Sequence, residues 1–162
     1  MVMMAFSKPA QLPEGCGIEG FKCGDPIVDL WVERHSSSSR KRGTAVVYVS
    51  YADGRVAGFY TLSTHSVARL SVSGGWFVRN APDTVPAILL GMMGVDQSFK
   101  GQGLGAALLQ DAIANALKVA ELAGAKALVV DPTGPEAEAF YRRFGFRVLP
   151  GTNRMAIPLN GR

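Results

Sequence analysis

Two runs rich in β-branched and aromatic residues, 44–51 (TAVVYVSY) and 55–62 (RVAGFYTL), flank an Ala-Asp-Gly tripeptide. An Asp-Gly pair between such runs has the composition of a tight turn, so this stretch predicts an antiparallel hairpin. A further apolar run, 88–95 (ILLGMMGV), lies between Pro86 and Asp96 and fits a strand covered on both faces. After Lys100-Gly101-Gln102-Gly103-Leu104-Gly105, apolar residues recur at Leu108, Leu109, Ala112, Ile113, Ala116, Leu117 and Ala120, the spacing of a helix with one broad apolar face. Gly124 caps that helix and 126–131 (KALVVD) reads as a second buried strand. Pro135 opens a short helix reaching Arg143, and extended pieces follow around 147–149 and 154–159. Upstream, Asp25 as N-cap and Pro26 at the first helical position begin a helix that carries Ile27, Leu30 and Trp31 on one face to about His35. Residues 1–20 read as an irregular lead-in with at most one short strand near Ile18, and 63–75 stays open between an extended edge and a loop.

Strands and helices therefore mix along a chain of 162 residues with 48% hydrophobic content, long enough for a sizeable core and expected to form a single domain over 1–162. The fold class is α/β, with a mixed sheet. A net charge of +4 and a pI near 9.3 favour an anionic partner without establishing one. Cys16 and Cys23 have no neighbouring His pair to complete a tetrahedral metal site, so no metal is expected. No signal peptide or long apolar span is evident, which makes a cytoplasmic protein with reduced thiols and no membrane partner the plain reading.

The chemistry concentrates after the 88–95 run. A glycine-rich turn opening a helix presents unpaired backbone N–H groups and the positive end of the helix dipole to one point, a ready anion site. A magnesium-dependent phosphate loop needs a Lys-Ser or Lys-Thr pair after its last glycine, where this chain has Ala106 and Ala107. A dinucleotide fingerprint needs G-x-G-x-x-G, and glycines at 101, 103 and 105 give G-x-G-x-G. A pyrophosphate bound without metal remains. Gly91 and Gly94 are open to two readings, a ligand lying against the strand or glycines that serve packing. Arg34, Arg40, Lys41 and Arg42 put four cations in nine residues of RHSSSSRKRG, either a solvated connection or an arm that follows a nucleic-acid backbone.

A strand, a Lys100-x-x-Gly103-x-Gly105 loop, an amphipathic helix, a second strand and then AFYRRFGF together resemble the GNAT superfamily of acyl-CoA N-acyltransferases. Within it, FKCGDPIVDLW, AGFYTLS, PAILLG, VD, GQGLGAALLQDA and EAFYRRFGF look like the toxin branch that acetylates aminoacyl-tRNA beside a ribbon-helix-helix antitoxin. The likeness covers roughly residues 21–159 and is weak between Ser63 and Ala81. It implies a central twisted sheet flanked by helices, with two strands splayed to admit the cofactor, and a homodimer. It further implies acetyl-CoA contacts at Met93, Gly94, Val95, Lys100, Gly101, Gln102, Gly103, Leu104, Gly105, Ala106, Asp131 and Phe140. The chain departs from that branch at Met92-Met93-Gly94, where Arg-Leu-Ala is common, and at Asp131-Pro132-Thr133-Gly134.

Tyr141 is the catalytic residue that the resemblance implies, its hydroxyl beside the thioester sulfur. With a phenol near pKa 10 and a thiol near 8.5, full proton transfer to a thiolate is uphill by roughly 2 kcal/mol. Hydrogen-bond stabilisation of the developing charge is the safer role. An aminoacyl ester has a less basic amine than a free amino acid, and His35 and His65 read as a surface residue and a loop residue, so direct attack assisted by proximity is the simplest route. Three functions stand: acetylation of the α-amine of aminoacyl-tRNA, blocking translation; acetylation of a small amine or a protein; or acyl-CoA binding without turnover, the protein persisting as an antitoxin partner.

Overall fold

Asp53 and Gly54 take φ of 51° and 73°, the left-handed pair of a type I′ turn, whose twist suits the strands on either side. Ala52 pairs with Arg55 across it, and the hairpin runs on to Val46 opposite Leu62, with a bulge at Ser50/Tyr51. In this computed structural model, which describes residues 5–159, the chain folds as β1 (Ala10–Gln11), α1 (Pro26–His35), β2 (Val46–Ala52), β3 (Arg55–Ala68), β4 (Thr84–Val95), α2 (Leu104–Ala123), β5 (Ala127–Val130), α3 (Pro135–Arg143), β6 (Arg147–Val148) and β7 (Met155–Pro158). Short 3-10 turns lie at Arg69–Ser71 and Gln97–Phe99. The strands form one seven-stranded sheet in the order β1-β2-β3-β4-β5-β7-β6. β4 and β5 are parallel, whereas β1 with β2, β2 with β3, β5 with β7 and β6 with β7 are antiparallel, so the sheet is mixed, as expected.

Two compact units divide the chain. The first comprises Met1–Ser63 with Gly91–Ala112. Its core gathers Phe21, Cys23, Val28 and Val32 with Val47, Val49 and Phe59, and Trp31 and Met92 pack against it. Trp31 stacks on Phe59 at 6.0 Å beside the buried Val28 and Val32, whereas Ile27 and Leu30, expected on the same face as Trp31, are exposed. Tyr60 is fully buried, its ring on Tyr48 and its hydroxyl donating to Asp111 Oδ2 at 2.5 Å, so the first half of α2 is bolted to β3.

The second unit comprises Thr64–Leu90 with Ile113–Arg162. Phe77, Val85, Ala87, Val129, Leu149 and Ala156 form its core. β5 is buried at all four positions and lies between β4 and β7, which accounts for its unbroken apolar run. Its pairing with β4 ends at Leu90↔Val130, while β4 continues to Val95.

Three boundaries differ from the expectation. The short amino-terminal strand is Ala10–Gln11, and Ile18 enters the core without a strand because a buried side chain fills space whatever its backbone does. β3 extends through Ser63–Ala68, where short polar residues hide the alternation and Val67 is the one fully inward apolar position. β4 begins at Thr84 and passes through Pro86, whose carbonyl accepts Lys126 N–H at 2.9 Å. The assignments for residues 1–4 lie outside the described residues.

Candidate functional site

The glycine-rich loop expected to bind an anion is built from both ends. At its upstream end Asp96 follows β4 directly and is buried; Oδ2 accepts the N–H of Lys22 at 3.1 Å and Oδ1 that of Ser98 at 2.9 Å. Arg55 Nη1 lies 3.6 Å from Oδ1, and its guanidinium sits 4.9 Å from the Phe99 ring centroid. Burial alone raises the Asp96 pKa, but the Lys22 and Ser98 amides and the Arg55 charge outweigh it and hold the carboxyl below the usual carboxylate range. Downstream, α2 begins at Leu104, and Ala107 N–H donates to Gly103 O at 3.2 Å as its first turn closes. Gly58 lets that turn approach β3: a Cβ there would fall 2.8 Å from Leu108 Cδ1 and 2.9 Å from Leu104 Cδ2.

Between these ends run Lys100, Gly101, Gln102 and Gly103, all exposed. Gly101 and Gly103 take φ of 79° and 83°, so glycine is required at both, and a Cβ at either would meet no described atom within 4 Å. Leu104, Gly105 and Ala106 form the first turn of α2, where N–H groups have no intrahelical partner. Gly105 is thus helical, and only two of the three alternating glycines are turn residues. Open backbone, orphan amides, a helix amino terminus and the Lys100 ammonium make a donor set for a pyrophosphate.

The glycines of β4 have neighbours of the same unit close by. A Cβ on Gly94 would meet Val28 Cγ1 at 3.2 Å and Cys23 Cβ and Sγ at 3.3 Å, and one on Gly91 would meet Thr61 Oγ1 at 3.0 Å. Thr61 Oγ1 also accepts Met92 N–H at 2.9 Å. Close to Gly94 lie Cys23 and Val28 of the amino-terminal segment, and close to Gly91 lies Thr61 of β3. Met93, Gly94 and Val95, expected to touch the cofactor, are half-buried at the end of β4. Asp29 closes the amino-terminal turn by accepting Cys23 N–H at 2.9 Å and Gly24 N–H at 3.1 Å. Both cysteines are free, and burial chiefly pushes the Cys23 thiol up to about 11, so it stays protonated.

In the second unit, Tyr141 lies on the last turn of α3 and is 7% exposed. Phe140 and Phe146 hold its ring, with centroids at 5.4 and 5.5 Å. Desolvation pushes the phenol up to about 12. Against a thiol near 8.5, full proton transfer is then uphill by about 5 kcal/mol, so a hydrogen-bond donor that stays protonated is the chemistry this environment allows. Phe140 is half-buried, with Arg143 5.7 Å from its ring centroid. Asp131, expected at the cofactor, is engaged by Arg154, with Nε to Oδ1 at 2.8 Å and Nη2 to Oδ2 at 3.2 Å. His65 sits in β3 rather than in a loop. Arginine can only donate, so its Nη2, 2.8 Å from His65 Nε2, fixes that nitrogen as an acceptor. Burial and the Arg154 charge lower the His65 pKa, against the pull of Asp131.

The basic segment after α1 is a compact series of turns rather than a loose loop. Ser39 O accepts both the N–H of Thr44 at 2.9 Å and its hydroxyl at 3.1 Å, Arg42 N–H donates to Ser38 O at 3.0 Å, and Ser36 and Ser39 are buried. Arg34, Arg40, Lys41 and Arg42 are exposed. Asp96 and Arg55 are the residues that the sequence reading missed as parts of the loop; the signal available was an acid two residues before a serine at a strand end, the pattern of an Asx turn.

Among the described residues no group of His, Cys, Asp and Glu is placed to hold a metal, and no helix is long and apolar enough to cross a membrane. A family model described as "Acetyltransferase (GNAT) domain" matches residues 43–148. A tRNA-acetylating toxin of Mycobacterium tuberculosis (strain ATCC 25618 / H37Rv) is 36% identical over 148 residues, covering 91% of this chain and 89% of the relative. Two solved structures share the fold at 23% identity. One is AtaT complexed with acetyl-methionyl-tRNAfMet, with a TM-score of 0.83 and 95% of each chain covered. The other is a mutant AtaT toxin bound to the C-terminus of the antitoxin AtaR and acetyl-CoA, with a TM-score of 0.80 and 96% and 94% covered.

Proposed function

The chain belongs to the GNAT acetyltransferase family, and on that premise we propose that it transfers acetyl from acetyl-CoA to the α-amine of an aminoacyl-tRNA, blocking translation. The observation that carries the proposal is the 36% identity to a tRNA-acetylating toxin, which extends over 91% of this chain. Coenzyme A presents the acetyl group as a thioester. The orphan amides of Leu104, Gly105 and Ala106, the glycine backbone and Lys100 would hold its pyrophosphate; the open space at Gly101 and Gly103 fits that guest. Tyr141 Oη would donate a hydrogen bond to the sulfur as negative charge builds there, and its raised pKa would keep it protonated. The ester-activated amine would attack in its neutral form, the C–N bond forming as the C–S bond breaks, with coenzyme A leaving as the thiolate and the surplus proton on nitrogen passing to water. Holding the amine against the carbonyl would speed that step.

The exposed cations Arg34, Arg40, Lys41 and Arg42 contact the tRNA backbone in this reading. Neutralising Arg40, Lys41 and Arg42 together raises the Michaelis constant for charged tRNA and flattens its salt dependence; unchanged kinetics would remove the arm from the mechanism. The protein acts as a cytoplasmic homodimer neutralised by a ribbon-helix-helix antitoxin. The deciding assay supplies labelled acetyl-CoA with charged tRNA, deacylated tRNA and small amines. Label on the aminoacyl group of charged tRNA alone is expected; label only on a small amine, or cofactor binding without transfer, overturns the proposal.

A further inference from the structure

The amino-terminal segment and the anion-binding loop meet at one carboxylate. Asp96 is 3% exposed and takes one amide from each side, Lys22 N–H on Oδ2 and Ser98 N–H on Oδ1. The backbone doubles the tie, because Gln97 N–H donates to Lys22 O at 2.8 Å and Asp96 N–H to Ala57 O at 2.8 Å. Phe99 N–H closes the turn on Asp96 O at 2.9 Å, and Phe99 itself is buried, with Arg55 above its ring and Phe6 edge-on at 6.0 Å. Four consecutive residues, Asp96 to Phe99, are thereby fixed in direction just before Lys100. The two glycines that follow are braced by no described side chain on their open side. Their path is therefore set by what holds the chain before Lys100 and after Gly103.

We propose that Asp96 is the positioning residue of the cofactor loop, and that the Lys22–Gly24 segment serves acetyl-CoA binding rather than acceptor choice. This rests on the reading of Lys100–Ala106 as the pyrophosphate cradle. Asp96 touches no substrate; it acts through the amides it orients. A carboxylate suits the junction because both oxygens accept, and each meets a backbone donor from a different segment. Asparagine keeps the shape but puts an NH2 against one of those donors, leaving one buried amide facing another. Arg55 adds a lateral restraint, pairing with the carboxylate while its plane covers Phe99.

The test uses the full chain and two readouts. Calorimetric titration with acetyl-CoA, without tRNA, gives the dissociation constant; steady-state transfer to charged tRNA separates kcat from the two Michaelis constants. Asp96→Asn is expected to weaken acetyl-CoA binding about tenfold, with kcat at saturating cofactor and the Michaelis constant for charged tRNA within about twofold of wild type. Arg55→Ala, which leaves both amide bonds to Asp96 in place, is expected to weaken binding about threefold with an unchanged melting temperature. Unchanged cofactor affinity in both variants overturns the proposal. So does a rise confined to the tRNA constant, or a fall in kcat and melting temperature together with affinity. Cofactor binding by wild type without tRNA acetylation would sink the proposed function and leave this measurement standing; wild type that binds no acetyl-CoA would sink the cradle itself.

Discussion

The loop after β4 and the tyrosine of α3 are held in opposite ways. The Asp96 carboxylate is held by polar groups: two amides donate to it, a guanidinium lies beside it, and main-chain bonds run from its turn to Lys22 and Ala57. The Tyr141 main chain also takes hydrogen bonds, from the Phe144 and Phe146 amides, but its side chain is held by aromatic rings, and burial alone drives its pKa upward. The difference suits the two tasks proposed for these residues. A phosphate arrives already charged, so its site must hold a fixed set of amides in the open, and only hydrogen bonds can aim amides. A leaving sulfur acquires charge only as the bond breaks, so its partner must be a donor that keeps its proton, and desolvation secures that.

The sharpest way to break this comparison is Tyr141→Phe. Removing the hydroxyl while keeping the ring should lower kcat by about 10²–10³-fold, the range for losing one transition-state donor. The dissociation constant for acetyl-CoA should stay within about twofold of wild type, because the ring packing survives. Stopped-flow transfer assays alongside calorimetry check both. An equal loss in cofactor affinity would make Tyr141 a binding residue and erase the contrast with the loop.

The two sites also respond to opposite ends of the pH scale. The Tyr141 phenol is raised from 10 to about 12 in the folded protein. The unfolded state therefore ionises first, and the stability present below pH 10 is lost by roughly 3 kcal/mol as pH rises to 12. Asp96 is lowered, so its contribution is present above the ordinary carboxylate pKa and disappears as pH falls through its folded value. Urea unfolding at a series of pH values should show Tyr141→Phe losing its share of the alkaline limb and Asp96→Asn its share of the acid limb. Limbs that do not move with these substitutions would mean other groups set the pH dependence.

These two regions were unequally legible in the sequence. The glycine loop was visible because its geometry is written in residue type: Gly101 and Gly103 occupy left-handed φ that few other residues adopt. The Asp-Gly hairpin and the Asp25-Pro26 helix start were visible for the same local reason. Asp96 was legible only in part: its bond to the Ser98 amide is a local Asx turn, whereas its partners Lys22 and Arg55 are far away in the chain and no local pattern announces them. The extension of β3 past Leu62 was hidden by serine, threonine and histidine at its alternating positions. The role of Tyr141 came from resemblance alone; what the structure adds is its burial, which moves the proton-transfer arithmetic from about 2 to about 5 kcal/mol.

A smaller effect sharpens the loop side. Gly103→Ala places a Cβ at φ +83°, a strained conformation costing roughly 1–2 kcal/mol, with open space around it. The strain should appear as about a tenfold weaker dissociation constant for acetyl-CoA while kcat at saturation changes little, the mirror image of Tyr141→Phe. A variant whose cofactor affinity matches wild type would show that the loop backbone at Gly103 does not shape the anion site.

The smallest effect separates packing from ligand contact at Gly94. Its missing Cβ leaves room for Val28 Cγ1 and for Cys23, at 3.2 and 3.3 Å from where that carbon would sit, so Gly94→Ala forces a shift of a few tenths of an ångström. We expect about 1 kcal/mol of lost stability from overpacking. Val28→Ala removes the nearest atom, so the double variant should be more stable than the two single losses imply, with a coupling of about 0.5 kcal/mol or more. Acetyl-CoA affinity should follow neither change. Gly94 and Val28 lie in the same unit as the loop and meet on its apolar side. If Gly94→Ala instead weakens cofactor binding while stability holds, the bare backbone there faces the ligand, and the strand joins the loop as part of the binding surface.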